Sequence, residues 1–215
     1  AVAAAFHRRP GFRVAILYPG GRVSPRQAHQ LGCLGDNVHA FRVAGSFDDC
    51  QRLVKLAFAD AALRERAPLA SANSISLGRL LPQAAYYAHV ALAHARRGGA
   101  PLGFIVPTGN LGNAFAALMA RAMVLPIGAV HLATNANRTL PDFLASACYE
   151  GRDSVATMAN AMDVGDPSNA ERLRWLHPDI GALRAAVSAD PVDDATIAAR
   201  IREGESRYGQ VWCPH

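Results

Sequence analysis

The stretch Phe104-Ile-Val-Pro-Thr-Gly109-Asn110-Leu111-Gly112-Asn113 decides how the chain is read. A continuously apolar run, preceded by Gly103, reads as a strand buried on both faces. A glycine–asparagine turn follows, and then a helical pattern from about residue 112 to 123 that stops before Pro126. The first N–H groups of such a helix have no partner within it, and its dipole favours an anion there. Two glycines let the backbone approach a phosphate closely. Asn110 and Asn113 can add carboxamide donors. The loop has neither the Gly-Lys-Ser/Thr of a mononucleotide loop nor a GxGxxG pattern, which disfavours nucleotides. Two readings stand side by side: a grip for a phosphate, or an ordinary strand-to-helix turn with asparagine caps.

Outward from this turn the same alternation recurs. Val14-Ala-Ile-Leu17 and Ala129-Val-His-Leu132 read as buried strands, with Val38–Val43 a weaker one. Near-continuous apolar runs predict parallel sheets covered on both faces. Phe47, Cys50, Val54, Ala57, Phe58 and Ala61 share one helical face, and Ser46 with Asp49 forms a capping box at its start. A longer helix is expected over residues 75–97, with Pro82 as a kink or restart. Ser168 with Glu171 predicts another capping box, and Asp193 caps a helix carrying Ile197, Ala198 and Ile201. The alternation makes an α/β protein. The expected seam lies at residues 66–71, where a polar helix ends at Pro68, giving domains 1–67 and 68–215.

Composition narrows the function. Of 215 residues 51% are hydrophobic and 18% charged, which suits a globular chain and excludes a disordered tail, a coiled coil and a collagen rod. No run approaches the roughly 20 apolar residues of a membrane helix. The apolar start is followed, not led, by His7, Arg8 and Arg9, unlike a signal peptide. Net charge is +5, and only Lys55 among the 22 basic residues is a lysine. That is either a solvated arginine-rich surface or a sign of an anionic partner. No nucleic-acid-binding pattern accompanies it, while a small phosphorylated ligand is compatible. Cys33, Cys50, Cys148 and Cys213 include no CxxC pair, so free thiols in a reducing cytoplasm are expected. No HExxH occurs, and His89 and His94 fall on different helix faces, so no metal is expected.

Three further loops carry polar side chains. In Ser71-Ala-Asn73-Ser74-Ile-Ser-Leu-Gly-Arg79, either Asn73, Ser74 and Arg79 converge on one oxyanion, or the first two cap a helix and Arg79 is a surface residue. Thr134-Asn135-Ala-Asn137 follows a strand and either lines a ligand crevice or forms a turn. Asp163 and Asp166 read as turn formers rather than acid–base groups. No nucleophile elbow is present. Lys55 falls beside Asp48 and Arg52 on a polar face, where a lysine is a poor imine former.

Taken together, these segments resemble the threonine synthase family. The matching stretches are Leu17-Tyr-Pro and Val23-Ser-Pro, Leu34-Gly-Asp-Asn-Val-His39, Gly45-Ser-Phe-Asp-Asp-Cys50 and Ser71-Ala-Asn-Ser-Ile. They continue through Gly78-Arg-Leu-Leu-Pro-Gln83, Pro107-Thr-Gly-Asn-Leu-Gly-Asn113, Ala133-Thr-Asn-Ala-Asn137 and Asn160-Ala-Met-Asp-Val-Gly-Asp-Pro-Ser-Asn169, in family order. The resemblance implies a tryptophan-synthase β-like fold (fold type II), with pyridoxal 5'-phosphate between two α/β domains. It implies that Gly109, Asn110, Leu111, Gly112 and Asn113 cradle the cofactor phosphate. It associates Asn73, Ser74 and Arg79 with the substrate, O-phospho-L-homoserine. The implied reaction turns that substrate and water into L-threonine and phosphate through a Schiff base of the cofactor. The family's Schiff-base lysine lies in a motif not found here, so no catalytic residue is expected in this chain. It is expected to be an internal piece of a chain about twice as long, inactive alone. Asp166 stands where the family has asparagine. A phospholyase releasing a keto acid, and a non-catalytic phosphate-binding α/β module, remain the alternatives.

Overall fold

The computed structural model describes residues 2–215. The chain forms two compact units, one ending at Ala70 and one spanning Ser71–His215.

The smaller unit runs α1 (Val2–Phe6), β1 (Val14–Pro19), α2 (Pro25–Gly32), β2 (Val38–Val43), α3 (Phe47–Ala59) and α4 (Ala61–Arg66). β1 and β2 pair in parallel with Val14 opposite Val38, and α3 packs on β1. The Ser46 capping box is formed: Asp49 N–H donates to Ser46 Oγ at 3.2 Å, and Ser46 N–H to Asp49 Oδ2 at 2.9 Å. α2 is not anticipated by apolar periodicity, since none of its residues is buried. It starts instead on local chemistry, a second box between Ser24 and Gln27 with Pro25 as the first helical residue.

The larger unit runs α5 (Leu77–Ala95), β3 (Leu102–Pro107), α6 (Gly112–Ala122), β4 (Ile127–Thr134), α7 (Thr139–Ser146), a short 3-10 turn (Asn160–Met162), α8 (Ala170–Leu176), α9 (Ile180–Ala186), β5 (Val187–Pro191) and α10 (Asp194–Tyr208). Among the described residues its sheet has the order β3-β4-β5, all parallel. α6 is the centre of the core. Ala114, Ala116, Ala117 and Ala120 are buried to the backbone, which lets the helix lie close against α5 and β4. Val106, Val130 and Leu132 of the sheet meet it. Each fully buried leucine or valine there contributes about 1.5–3 kcal/mol.

Among the described residues one face of the larger unit's sheet is open: Ile105 is 75% exposed, and Gly103, Pro107 and Ala129 are exposed with it. Helices pack on the face that carries Val106 and Val130. Two sequence expectations need correction. The Ser168–Glu171 box is not formed; α8 starts at Asn169 without a side-chain cap, because Ser168 is held by Asn110. Asn73 and Ser74 do not cap α5 either, whose N-cap is Ser76. Pro82 sits inside α5 and the helix continues through it. The cap of Asp193 on α10 is formed, by a 2.7 Å bond from Thr196 N–H. No helix among the described residues is long and apolar enough to cross a membrane.

Candidate phosphate-binding site

β3 delivers the chain to the loop and α6 takes it away. Thr108 extends the ladder, its N–H donating to the Ala133 carbonyl at 2.9 Å. Its Oγ1 accepts from Leu111 N–H at 3.1 Å, which closes the turn. Leu111 then adopts a left-handed conformation (φ 63°), and α6 begins. The outcome is a row of open donors. Among the described residues the N–H groups of Gly109, Asn110, Gly112 and Asn113 find no protein acceptor, while that of Leu111 is used. These are the groups that a phosphate at a helix start would take. The donor set therefore fits an anionic phosphoryl group.

Both glycines are dictated by their walls. A Cβ on Gly109 would lie 2.6 Å from the Met162 carbonyl oxygen, and one on Gly112 would lie 2.7 Å from Ser74 Cβ.

The carboxamides of Asn110 and Asn113, expected as further donors, are committed within the protein. Asn110 Nδ2 donates to Ser74 Oγ at 2.8 Å, and its Oδ1 accepts from Ser168 N–H at 2.7 Å and Ser168 Oγ at 3.0 Å. Asn113 Oδ1 accepts from Tyr87, while its Nδ2 donates to Gln83 at 2.9 Å and to Tyr86. Gln83, Tyr86 and Tyr87 lie on one face of α5, at spacings of three and four residues. Burial and then the neighbouring Tyr86 push the Tyr87 phenol up to about 12, so it stays a donor through the neutral range. The cradle is thus made of main chain, with side chains setting its shape.

Of Asn73, Ser74 and Arg79, Ser74 meets the loop through Asn110 and Gly112. Asn73 bonds locally: its Oδ1 accepts from Ser74 N–H at 2.6 Å and its carbonyl from Ser76 N–H at 2.9 Å. Arg79 is exposed in the first turn of α5, and its side chain makes no hydrogen bond or ion pair among the described residues. No hydrogen bond joins Asn73 or Arg79 to residues 109–113.

The polar residues after β4 form a buried lock. Asn135, 1% exposed, donates through Nδ2 to Thr157 Oγ1 at 2.9 Å and Asp163 Oδ1 at 2.8 Å. Asn137 donates to Asn135 Oδ1 at 2.9 Å and to the Val155 carbonyl at 3.0 Å. Thr157 donates to Asp163 from both N–H and Oγ1. The lock fixes the segment that ends in the wall at Met162. Asp166 accepts from Tyr149 at 2.7 Å. Lys55 is exposed on α3. No group of side chains suited to a metal ion occurs among the described residues.

Sequence reasoning gave no role in the site to Tyr86, Tyr87, Asn169 or Arg172. Arg172 donates to the Ser74 carbonyl and to Asn169 Oδ1, each at 2.6 Å, and to the Ile75 carbonyl. The one signal for it was its place three residues after Asn169 in the helix that follows Pro167-Ser168-Asn169.

No protein-family model matches the chain. Among curated proteins, threonine synthase from Serratia marcescens is 41% identical over 222 residues, covering all of this chain and 50% of that protein. The crystal structure of threonine synthase from Escherichia coli superposes with a TM-score of 0.89 at 37% identity, over 100% of this chain and 50% of that one. The structure of pyridoxal-phosphate-bound threonine synthase from Brucella melitensis gives 0.80 at 34% identity, over 99% and 51%. The chain spans about half the length of the relatives it matches.

Proposed function

We infer that this chain, which belongs by sequence and fold to the threonine synthase family, contributes the phosphate-gripping part of a threonine synthase. Such an enzyme converts O-phospho-L-homoserine and water to L-threonine and phosphate. The observation that carries this reading is the row of open backbone N–H groups from Gly109 to Asn113 at the start of α6.

Gly109, Asn110, Leu111, Gly112 and Asn113 would hold the phosphate of pyridoxal 5'-phosphate, with four main-chain donors and the α6 dipole countering its charge. When bound, the cofactor supplies an electron sink for carbanion chemistry on the amino acid. Asn73, Ser74 and Arg79 would meet the substrate. Arg79 keeps an unspent guanidinium suited to a bidentate grip on a phosphate ester, and Ser74 brings its hydroxyl beside the loop. We assign no Schiff-base role to Lys55, whose exposed position leaves its amine solvated. Residues from 68 onward would then belong to the cofactor-binding domain and residues 1–67 to the smaller one. The exposed thiols of Cys33, Cys148 and Cys213 suit a reducing cytoplasm.

The test is product analysis of the full-length protein, given pyridoxal 5'-phosphate and O-phospho-L-homoserine. Threonine and phosphate should appear in equal amounts. A keto acid in place of threonine would make it a phospholyase, and binding without turnover a non-catalytic module.

A further inference from the structure

We propose that Arg172 is a positioning residue that holds the backbone at Ser74 and Ile75 against the phosphate loop, as the cation in a closed ring of side chains. The proposal rests on the reading of Ser74 as a substrate-side group.

The ring can be followed bond by bond. Arg172 Nη1 donates to the Ser74 carbonyl and to Asn169 Oδ1, each at 2.6 Å, and Nη2 donates to the Ile75 carbonyl. Asn169, with 0% of its surface exposed, passes the connection on from Nδ2 to the Asn110 carbonyl at 2.8 Å. Asn110 closes the circuit from its own Nδ2 to Ser74 Oγ at 2.8 Å. One guanidinium thus reaches two successive peptide carbonyls on the substrate side and, through one buried amide, the phosphate loop.

Its charge is not neutralised there. Among the described residues its hydrogen bonds go to neutral carbonyl and carboxamide oxygens, and none goes to a carboxylate. An always-charged group held by neutral acceptors leaves a positive field where two phosphoryl groups are to be bound. The geometry also fixes direction. In a trans peptide the C=O and N–H point opposite ways, so bonding the Ser74 carbonyl turns the Ile75 N–H away from the guanidinium. That N–H has no protein acceptor among the described residues. Lysine cannot reproduce this, because an ammonium lacks the planar fork that spans separate acceptors.

The experiment compares Arg172→Lys, Arg172→Ala, Ser74→Ala and the Ser74→Ala/Arg172→Lys double variant in the full-length protein. Steady-state turnover of O-phospho-L-homoserine is the readout, with thermal unfolding as a control. Arg172→Lys should raise KM about tenfold or more, as loss of charge-assisted bonds does, with a smaller change in kcat. The double variant should cost less than the sum of the single effects, since the two changes break different bonds of one closed ring. Added guanidinium should lower the raised KM of Arg172→Ala but not that of Ser74→Ala. An unchanged KM in Arg172→Lys alongside a raised KM in Ser74→Ala would overturn the role of Arg172 and leave the substrate-side reading intact. An unchanged KM in Ser74→Ala would sink that reading and this proposal together. A lowered melting temperature with KM unmoved would make Arg172 purely structural.

Discussion

Asn113 owes its orientation to Tyr87. The phenol donates to Asn113 Oδ1, which leaves Nδ2 to face Gln83 and Tyr86. Burial, and then Tyr86, push that phenol from its ordinary value of 10.0 up to about 12. The sign follows from linkage. In the unfolded chain Tyr87 loses its proton near the ordinary value, while the folded protein holds it longer. The stabilisation is therefore complete below about pH 10 and is lost as pH rises towards about 12. Tyr87→Phe should cost about 1 kcal/mol at neutral pH. It should also flatten the alkaline fall in stability, read from denaturant midpoints between pH 8 and 12. An alkaline limb as steep as in the parent protein would contradict this placement of the proton.

At the scale of the element, α6 shows how a helix start can be set by its neighbour in the chain. Leu111 is 1% exposed and left-handed at φ 63°. For a leucine that conformation costs roughly 1–2 kcal/mol, which is offset by about 1.5–3 kcal/mol of side-chain burial. Leu111→Ala keeps the unfavourable backbone and loses the packing, so it should destabilise by about 2–5 kcal/mol. Leu111→Gly loses the same packing but adopts the backbone freely. It should be the milder variant by about 1 kcal/mol in urea unfolding. If glycine proves the worse of the two, the left-handed turn is not under strain.

Elements whose chemistry is local were legible in the sequence. Ser46 and Asp49 lie three residues apart and nothing distant competes for them, so the capping box is formed as read. Ser168 and Glu171 have the same spacing, but Asn110, far away in the chain, takes both the N–H and the hydroxyl of Ser168. The strand–turn–helix around Gly109 was readable because apolar run, glycines and helix follow one another directly. The commitment of Asn110 and Asn113 was not, since their partners lie at Ser74 before α5, on α5 itself and just ahead of α8. β5 escaped because Val187-Ser-Ala-Asp-Pro191 alternates with polar residues and is too short to stand out.

Across the whole molecule, the boundary between the units should be the first point that a protease reaches. α4 ends at Arg66, and no helix or strand occurs from there until Leu77. Arg64 and Arg66 are exposed. Limited trypsin digestion should cut first after one of these two arginines and leave a larger piece carrying residues 71–215, as mass spectrometry would show. Early cleavage within α5 or α6 instead would mean that the larger unit opens more readily than its packing implies.

Because the donors proposed to hold the anion belong to the main chain, every amino acid but proline brings the same N–H to positions 109–113. Short of a proline, no substitution deletes such a grip one functional group at a time. Natural variants could recolour its side chains freely, as long as the residues that keep neighbouring walls clear and the scaffold behind it intact stay as they are. In a saturation screen, damage should concentrate at Gly109 and Gly112 and in the supporting shell, more than on the atoms that touch the ligand.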